Sequence, residues 1–332
     1  MKSILLLLIL AIPCLPQWIK QNVNTTASFR GLSVVNEKVV WASGTDGTVI
    51  RTIDGGNMWD VMKVPGAEKL DFRDIEAFDA NTAYILSIGN GESSRIYKTT
   101  DGGKTWNLQF KNTNEKAFFD AIACWERNNC IAMSDPVGGH FLTMSTTDGT
   151  NWQSPVSNKN LAANDGEAAF AASGTCLIVQ GKRSAFLISG GSQARIFKST
   201  DRGLTWIDDN DSILVHGTSG AGIFSIAMLD EKNGVIVGGD YEKPDAHEKN
   251  LAFTKDGGST WTVEAGLTGY RSGVTYIDRN TIIAVGTNGS DISRDGSKTW
   301  KKLGNENLNA VQAKGKSEVW AVGSKGLVVR LK

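Results

Sequence analysis

The chain has 332 residues, with 35 basic side chains against 35 acidic ones, and this balance excludes a general attraction to nucleic acid or to an anionic membrane surface. Its 37 glycines against 6 prolines, with apolar runs of four to six residues, exclude a helical protein. They indicate many short strands joined by glycine turns.

The first residues stand apart. Lys2 precedes a nine-residue apolar run from Ile4 to Ile12, too short to span a bilayer but suited to the core of a secretory signal. Residues 1–16 are therefore expected to be a signal peptide, and 17–332 a single exported domain, periplasmic or extracellular, without a transmembrane segment. Cys14 raises the alternative of a lipoprotein, but Pro13 stands where a lipidation motif needs a small residue.

From residue 30 onward the chain repeats. Seven short apolar segments are expected to be innermost strands: R-G-L-S-V-V from Arg30, R-D-I-E-A-F from Arg73, D-A-I-A-C-W from Asp120, E-A-A-F-A-A from Glu167, F-S-I-A-M-L from Phe224, S-G-V-T-Y-I from Ser272 and N-A-V-Q-A-K from Asn309. A second strand ending in Gly or a small polar residue follows each, such as V-V-W-A-S-G, C-L-I-V-Q-G and V-W-A-V-G.

After a variable loop comes a third strand that runs into a turn of fixed type. It reads T-I-D-G-G-N-M-W at 52–59, T-T-D-G-G-K-T-W at 99–106, S-T-D-R-G-L-T-W at 199–206, T-K-D-G-G-S-T-W at 254–261 and S-R-D-G-S-K-T-W at 293–300, with a shortened T-T-D-G-T-N-W at 146–152. This is the Asp-box. An Asp in the turn accepts backbone N–H groups a residue or two ahead, the glycines supply positive φ, and Trp opens the fourth strand. Asp54, Asp101, Asp148, Asp201, Asp256 and Asp295 are thus expected to be turn formers rather than catalytic groups.

Four strands per unit make a propeller blade, and the tryptophans recur every 39 to 55 residues, close to blade size. The expected fold is all-β: a seven-bladed β-propeller of four-stranded antiparallel blades. The seventh unit stops at its third strand, G-L-V-V-R-L-K. W-I-K-Q-N-V from Trp18 resembles the fourth strand W-K-K-L-G-N from Trp300, so the N-terminal strand is expected to close the ring. An open or six-bladed array is the alternative.

Cys124 and Cys130 flank W-E-R-N-N at a strand hairpin, so a disulfide between them is expected in an exported protein, against the alternative of two small buried residues. With no C-x-x-C motif, and with His140, His216 and His247 scattered, neither a metal nor a cofactor is expected.

The start of each innermost strand and the loop between strands two and three share one face of the ring, and the Asp-boxes share the other. That geometry gathers Arg30, Arg73, Asp120 and Glu167 at the channel mouth, with Arg271 one position before the equivalent Ser272. The loops at 181–193, carrying Arg183, and 240–250, carrying Asp240, join them, as does 134–140 with Asp135. Long loops on a rigid scaffold are where binding residues concentrate.

Asp-boxes invite a sialidase reading. Such an enzyme needs an arginine triad beginning in Arg-Ile-Pro and a Tyr–Glu nucleophile, but the early arginine here lies in F-R-G-L, and Tyr84, Tyr97 and Tyr276 fall inside expected strands. A secreted carbohydrate-active hydrolase or lyase using Asp120, Asp135, Glu167 or Asp240 stays as the alternative function.

The GG and K-T-W Asp-boxes, each followed by a hairpin strand ending A-V-G or similar, in seven units behind a signal peptide, resemble the photosystem II stability and assembly factor family over about 17–332. The resemblance implies a non-catalytic propeller that binds another protein through an arginine-lined face, to which Arg30, Arg73 and Arg271 would contribute. Asp120 and Glu167 at the same repeat position interrupt a continuous basic patch. The expected partner is a protein or a carboxylate-bearing ligand, and the expected state is a monomer.

Overall fold

A computed structural model describes residues 17–154, 161–208 and 211–332. Residues 1–16, expected to be a signal peptide, and Cys14 among them, lie outside the described residues. The described chain forms seven antiparallel blades around a central channel.

Blade 1 shows the plan. Phe29–Val34 lies innermost, followed outward by Val40–Gly44, Thr48–Thr52 and Asp60–Lys63. Buried residues dominate the first three strands and exposed ones the fourth, as expected of a blade whose inner strands are covered on both faces. Blades 2 and 6 repeat this order from Phe72–Ala77 and Gly273–Tyr276. Blade 5 does so from Ala221–Met228. Blade 3 has Phe119–Glu126, Asn129–Val137 and His140–Thr146, then a single bridge from Ser145 to Gln153.

The tryptophans of the Asp-boxes join the blades. Trp106 of blade 2 meets Trp41 of blade 1 edge-on at 6.4 Å, Trp59 of blade 1 meets Trp320 of blade 7 at 5.7 Å, and Trp152 of blade 3 meets Tyr84 of blade 2 at 6.3 Å. Each places a large apolar ring against the second strand of the preceding blade, where edge-to-face packing adds to burial.

Blade 7 is closed from the other end of the chain. Leu308–Lys314, Glu318–Gly323 and Val328–Leu331 take Trp18–Lys20 as their outer strand, with Trp18 opposite Leu331 and Lys20 opposite Val329. The Trp18 indole N–H donates to Ser290 Oγ of blade 6 at 2.9 Å.

Blade 4 departs from the expected strand order. Its innermost strand is Leu177–Gln180, paired to Ser184–Ile188, then Ile196–Ser199 and Ile207–Asp208. The stretch from Glu167 is not that strand. Only Glu167–Ala168 is extended, bridging to Gly190–Gly191, and Gly174 then turns the chain with φ of +77°. Its alanine run looks like a strand in sequence, but it is an additional segment laid over the channel mouth. The strand order shifts by one, and Arg183 moves with it. Gly181–Arg183 is the turn between the first two strands, on the Asp-box face, where the Arg183 carbonyl accepts the Arg202 N–H at 2.8 Å.

Cys124 and Cys130 are direct cross-strand partners in blade 3 and form a disulfide with Cα atoms 4.0 Å apart. Cys176 is a buried free thiol.

Candidate functional site

The Asp-boxes establish what one face does. Asp101 Oδ1 accepts the Thr99 hydroxyl at 2.9 Å and the Thr105 N–H at 2.9 Å, while Oδ2 accepts the Thr105 hydroxyl at 2.7 Å. Asp201, Asp256 and Asp295 repeat all three bonds, and Asp54 repeats the two to Oδ1. The main backbone donor is therefore four residues ahead, not one or two, because two left-handed residues, at least one of them glycine, stretch the turn. The shortened copy keeps a donor two residues on, from Thr150 to Asp148. These bonds favour the carboxylate, so the Thr105 donors hold Asp101 down at about 2, and Asp256 is held at about 2 in the same way.

On the opposite face the innermost strands share a device that the repeat pattern only hinted at. Their pairing to the second strand slips by one residue between Phe29 and Gly31, Phe72 and Asp74, Phe119 and Ala121, Ile223 and Ser225, and Leu308 and Ala310. The skipped residues are Arg30, Arg73, Asp120, Phe224 and Asn309. A bulge re-aims the extra side chain, and four of these five line one cavity of about 390 Å³ at the channel mouth.

That cavity brings together Arg30, Arg73 and Asp120, from one repeat position, and Asp135, from the 134–140 stretch. Arg73 Nε pairs with Asp71 at 2.7 Å. Arg30 has no carboxylate partner among the described residues; its Nη1 donates to the Ala172 carbonyl at 3.0 Å, and Arg73 Nη1 donates to the Ala171 carbonyl at 3.3 Å. Burial and then the charge of Arg73 push the Arg30 guanidinium downward. Asp135 Oδ1 accepts the Ala169 N–H at 2.7 Å. The additional segment of blade 4 is thus pinned across the mouth by the residues expected to face a ligand.

Acids accumulate beneath it. Burial and then the neighbouring charge of Asp135 raise Asp120 well above the carboxylate range, and burial raises Asp135 to about 6. Asp74, absent from the expected set, accepts the Ile75 and Ile122 N–H groups at 2.8 and 2.7 Å, yet burial lifts it to about 8. An aromatic wall also went unseen in the sequence. Phe170 stacks on Phe224 at 4.0 Å, and Tyr270 and Tyr241 meet Phe224 edge-on at 4.7 and 6.3 Å.

Other expected residues are placed elsewhere. Arg271 is fully buried and spends all its donors on Asp291, Asn288 and Thr268 side chains and the Tyr270 carbonyl. One residue along a strand reverses the side-chain direction, so Arg271 occupies the inward-packed position of Phe29 while Ser272 takes that of Arg30. Glu167 is buried against Arg195 at 2.6 Å. Asp240 starts its loop by accepting the Glu242 N–H at 3.0 Å, and it is the next residue, Tyr241, that reaches the cavity. Arg183 lies on the other face. A larger cavity of about 890 Å³ also lies there, at the seam between Gly55–Asn57, Ile277 and Lys332 where blade 7 has no Asp-box.

Residues 13–113 match the family model of the photosynthesis system II assembly factor YCF48. A YCF48 structure described as bound to D1 peptide superposes with a TM-score of 0.67 at 19% identity, covering 95% of this chain and 96% of that one. The chain has the propeller fold of the YCF48 structures, and its first third matches their family model. YCF48 from Cyanidioschyzon merolae gives 0.67 at 18% identity, over 95% and 98% of the two chains. The GH74 enzyme of Niastella koreensis matches with a TM-score of 0.64 at 16% identity, covering 94% of this chain but 53% of that one. A comparison with curated proteins gives no match.

Proposed function

We propose that this propeller is an exported, non-catalytic scaffold that captures an acidic segment or chain-terminal carboxylate of a protein partner at its channel mouth. The observation that carries this reading is Arg30, a cation in a partly enclosed cavity, without a carboxylate and next to Arg73. Guanidinium groups prefer a carboxylate to the neutral carbonyls they now hold, because a charged acceptor makes the stronger, two-pronged bond. Phe170, Phe224 and Tyr241 supply an apolar surface beside that charge. The likeness to a YCF48 bound to D1 peptide supports a peptide as the occupant. The cross-strand disulfide supports export, since such bonds persist in oxidising compartments.

The test is binding of short peptides ending in a free carboxylate against their amidated forms. Charge reversal of Arg30 and Arg73 to Glu should weaken capture by about 100-fold or more, in line with losing a partner for a desolvated charge. Reversal of Lys104 and Lys298, exposed in Asp-box turns, should leave it unchanged. Equal binding of free and amidated peptides, or loss only with the lysine pair, would overturn the reading.

A second reading has one observation behind it: Asp120 and Asp135 share the cavity with different proton affinities, the arrangement a carboxylate-based glycoside hydrolase requires. Turnover of aryl glycosides that disappears in Asp120→Asn would favour it. Glu167, committed to Arg195, is not available for that role.

A further inference from the structure

The Oδ2 atom of Asp120 is buried and has no hydrogen-bond partner among the described residues, although the side chain lines the cavity that holds Arg30 and Arg73. A buried polar atom without a partner costs free energy that natural folds seldom leave unspent away from function. The groups around it define what it can be. Arg73 and Asp74 approach from the inner strand of blade 2, with Glu76 further along, Arg30 from blade 1, Asp135 from blade 3, and the Cys176 thiol from blade 4. Arg73 is held by Asp71 and forms no ion pair with Asp120. The nearest carboxyl, Asp135, repels a second negative charge.

We propose that Asp120 is a third ligand-binding group of the channel mouth: a carboxylic acid whose Oδ2–H donates to a ligand carboxylate held by Arg30 and Arg73, so that the site binds its acidic ligand only while Asp120 carries its proton. This rests on the carboxylate-capture reading above and adds its proton linkage. The proton is already on Asp120 in the free protein and stays there; no covalent bond forms or breaks in the ligand. Burial and the charge of Asp135, which raise Asp120, make the neutral form the resident one. An ionised Asp120 would instead face the incoming carboxylate charge to charge. Binding is therefore complete below the titration of Asp120 and declines above it.

The experiment measures binding of N-acetyl-phenylalanine, an aromatic body with a free carboxylate, and of its amide, to the full protein from pH 5.5 to 9. The wild type should lose affinity for the acid by up to about tenfold per pH unit above the Asp120 titration. Asp120→Asn keeps a donor without a proton to lose, so its affinity should stay within about threefold of the low-pH wild type and be flat in pH, while Asp120→Ala should be weak throughout. Asp135→Asn should retain a pH dependence, because the proton is assigned to Asp120. A flat wild-type profile, affinity that rises with pH, or an Asp120→Asn variant as weak as Asp120→Ala would overturn the inference. If Arg30→Gln still abolishes binding in those cases, carboxylate capture survives. If neither the acid nor the amide binds at any pH, both readings fall.

Discussion

Asp101 and Asp120 are the same residue on two faces of one ring, and they titrate in opposite directions. Asp101 sits in a turn that supplies two N–H and O–H donors from Thr105 and one hydroxyl from Thr99, and these stabilise its charge despite some burial. Asp120 sits on a bulge that faces other carboxyls, and there burial outweighs the single backbone donor. The difference teaches that the repeat position, not the residue, decides the role. A turn repeated six times makes its own solvation shell, whereas a bulge aims a side chain into the channel, where burial and neighbouring carboxyls decide its charge.

The ring itself underlies both faces, so the largest perturbation is to open it. Deleting residues 17–21 removes the outer strand of blade 7, including the nearly buried Trp18. Loss of a buried Trp costs roughly 3–5 kcal/mol, so calorimetry should show a fall in Tm of about 5–8 °C. An unchanged melting curve would mean that the faces do not depend on closure.

A smaller break acts on one face alone. Asp201→Ala removes acceptors for Ser199 Oγ, the Thr205 N–H and Thr205 Oγ1. The expected cost is about 1–3 kcal/mol, a drop in Tm of a few degrees, with carboxylate binding at the mouth intact. Reduced binding in this variant would show that the faces are coupled.

Which of this was legible follows from the physics of each element. Six innermost strands could be matched because apolar periodicity and the Asp-box recur together. The fourth could not, because A-A-F-A-A has strand composition and only the left-handed Gly174 betrays its path. Arg30, Arg73 and Asp120 line one cavity because they share a repeat position. Arg271 was misjudged because one position along a strand exchanges channel for core. Phe224 reads as core in sequence, and no pattern announces that it sits on a bulge. The hydrogen bond from residue i+4 to the aspartate of the five full-length Asp-boxes depends on left-handed torsions that letters do not carry.

The smallest prediction sharpens the opposition of charge. In the unfolded chain every aspartate releases its proton near pH 4. Asp101 and Asp256, lowered in the fold, contribute stability above that pH and lose it as pH falls towards 2. Asp120, raised in the fold, keeps a proton that the unfolded chain gives up, so its contribution declines as pH rises above about 4 until its own titration is passed. Asp120→Asn has no such decline. Its Tm relative to wild type should be higher at pH 8 than at pH 5 by about 1–3 °C, measured in the same buffers at matched ionic strength. A constant difference would place Asp120 with the Asp-box aspartates.

The bond from Trp18 to Ser290 spans 272 positions of sequence. During synthesis the strand carrying Trp18 is made first, and its partners, Val328–Leu331, are made last. A ring clasped in this way cannot shut until Val328–Leu331 has been made, and contacts of such high sequence separation are slow to form. Until then blade 6 and blade 1 present uncovered apolar flanks and an unpaired strand edge, the features that invite self-association. The same clasp makes the finished ring a zipper under tension. A pull applied at its two strand ends loads the Trp18–Leu331 pairing first, so blade 7 is the blade that should open before the others.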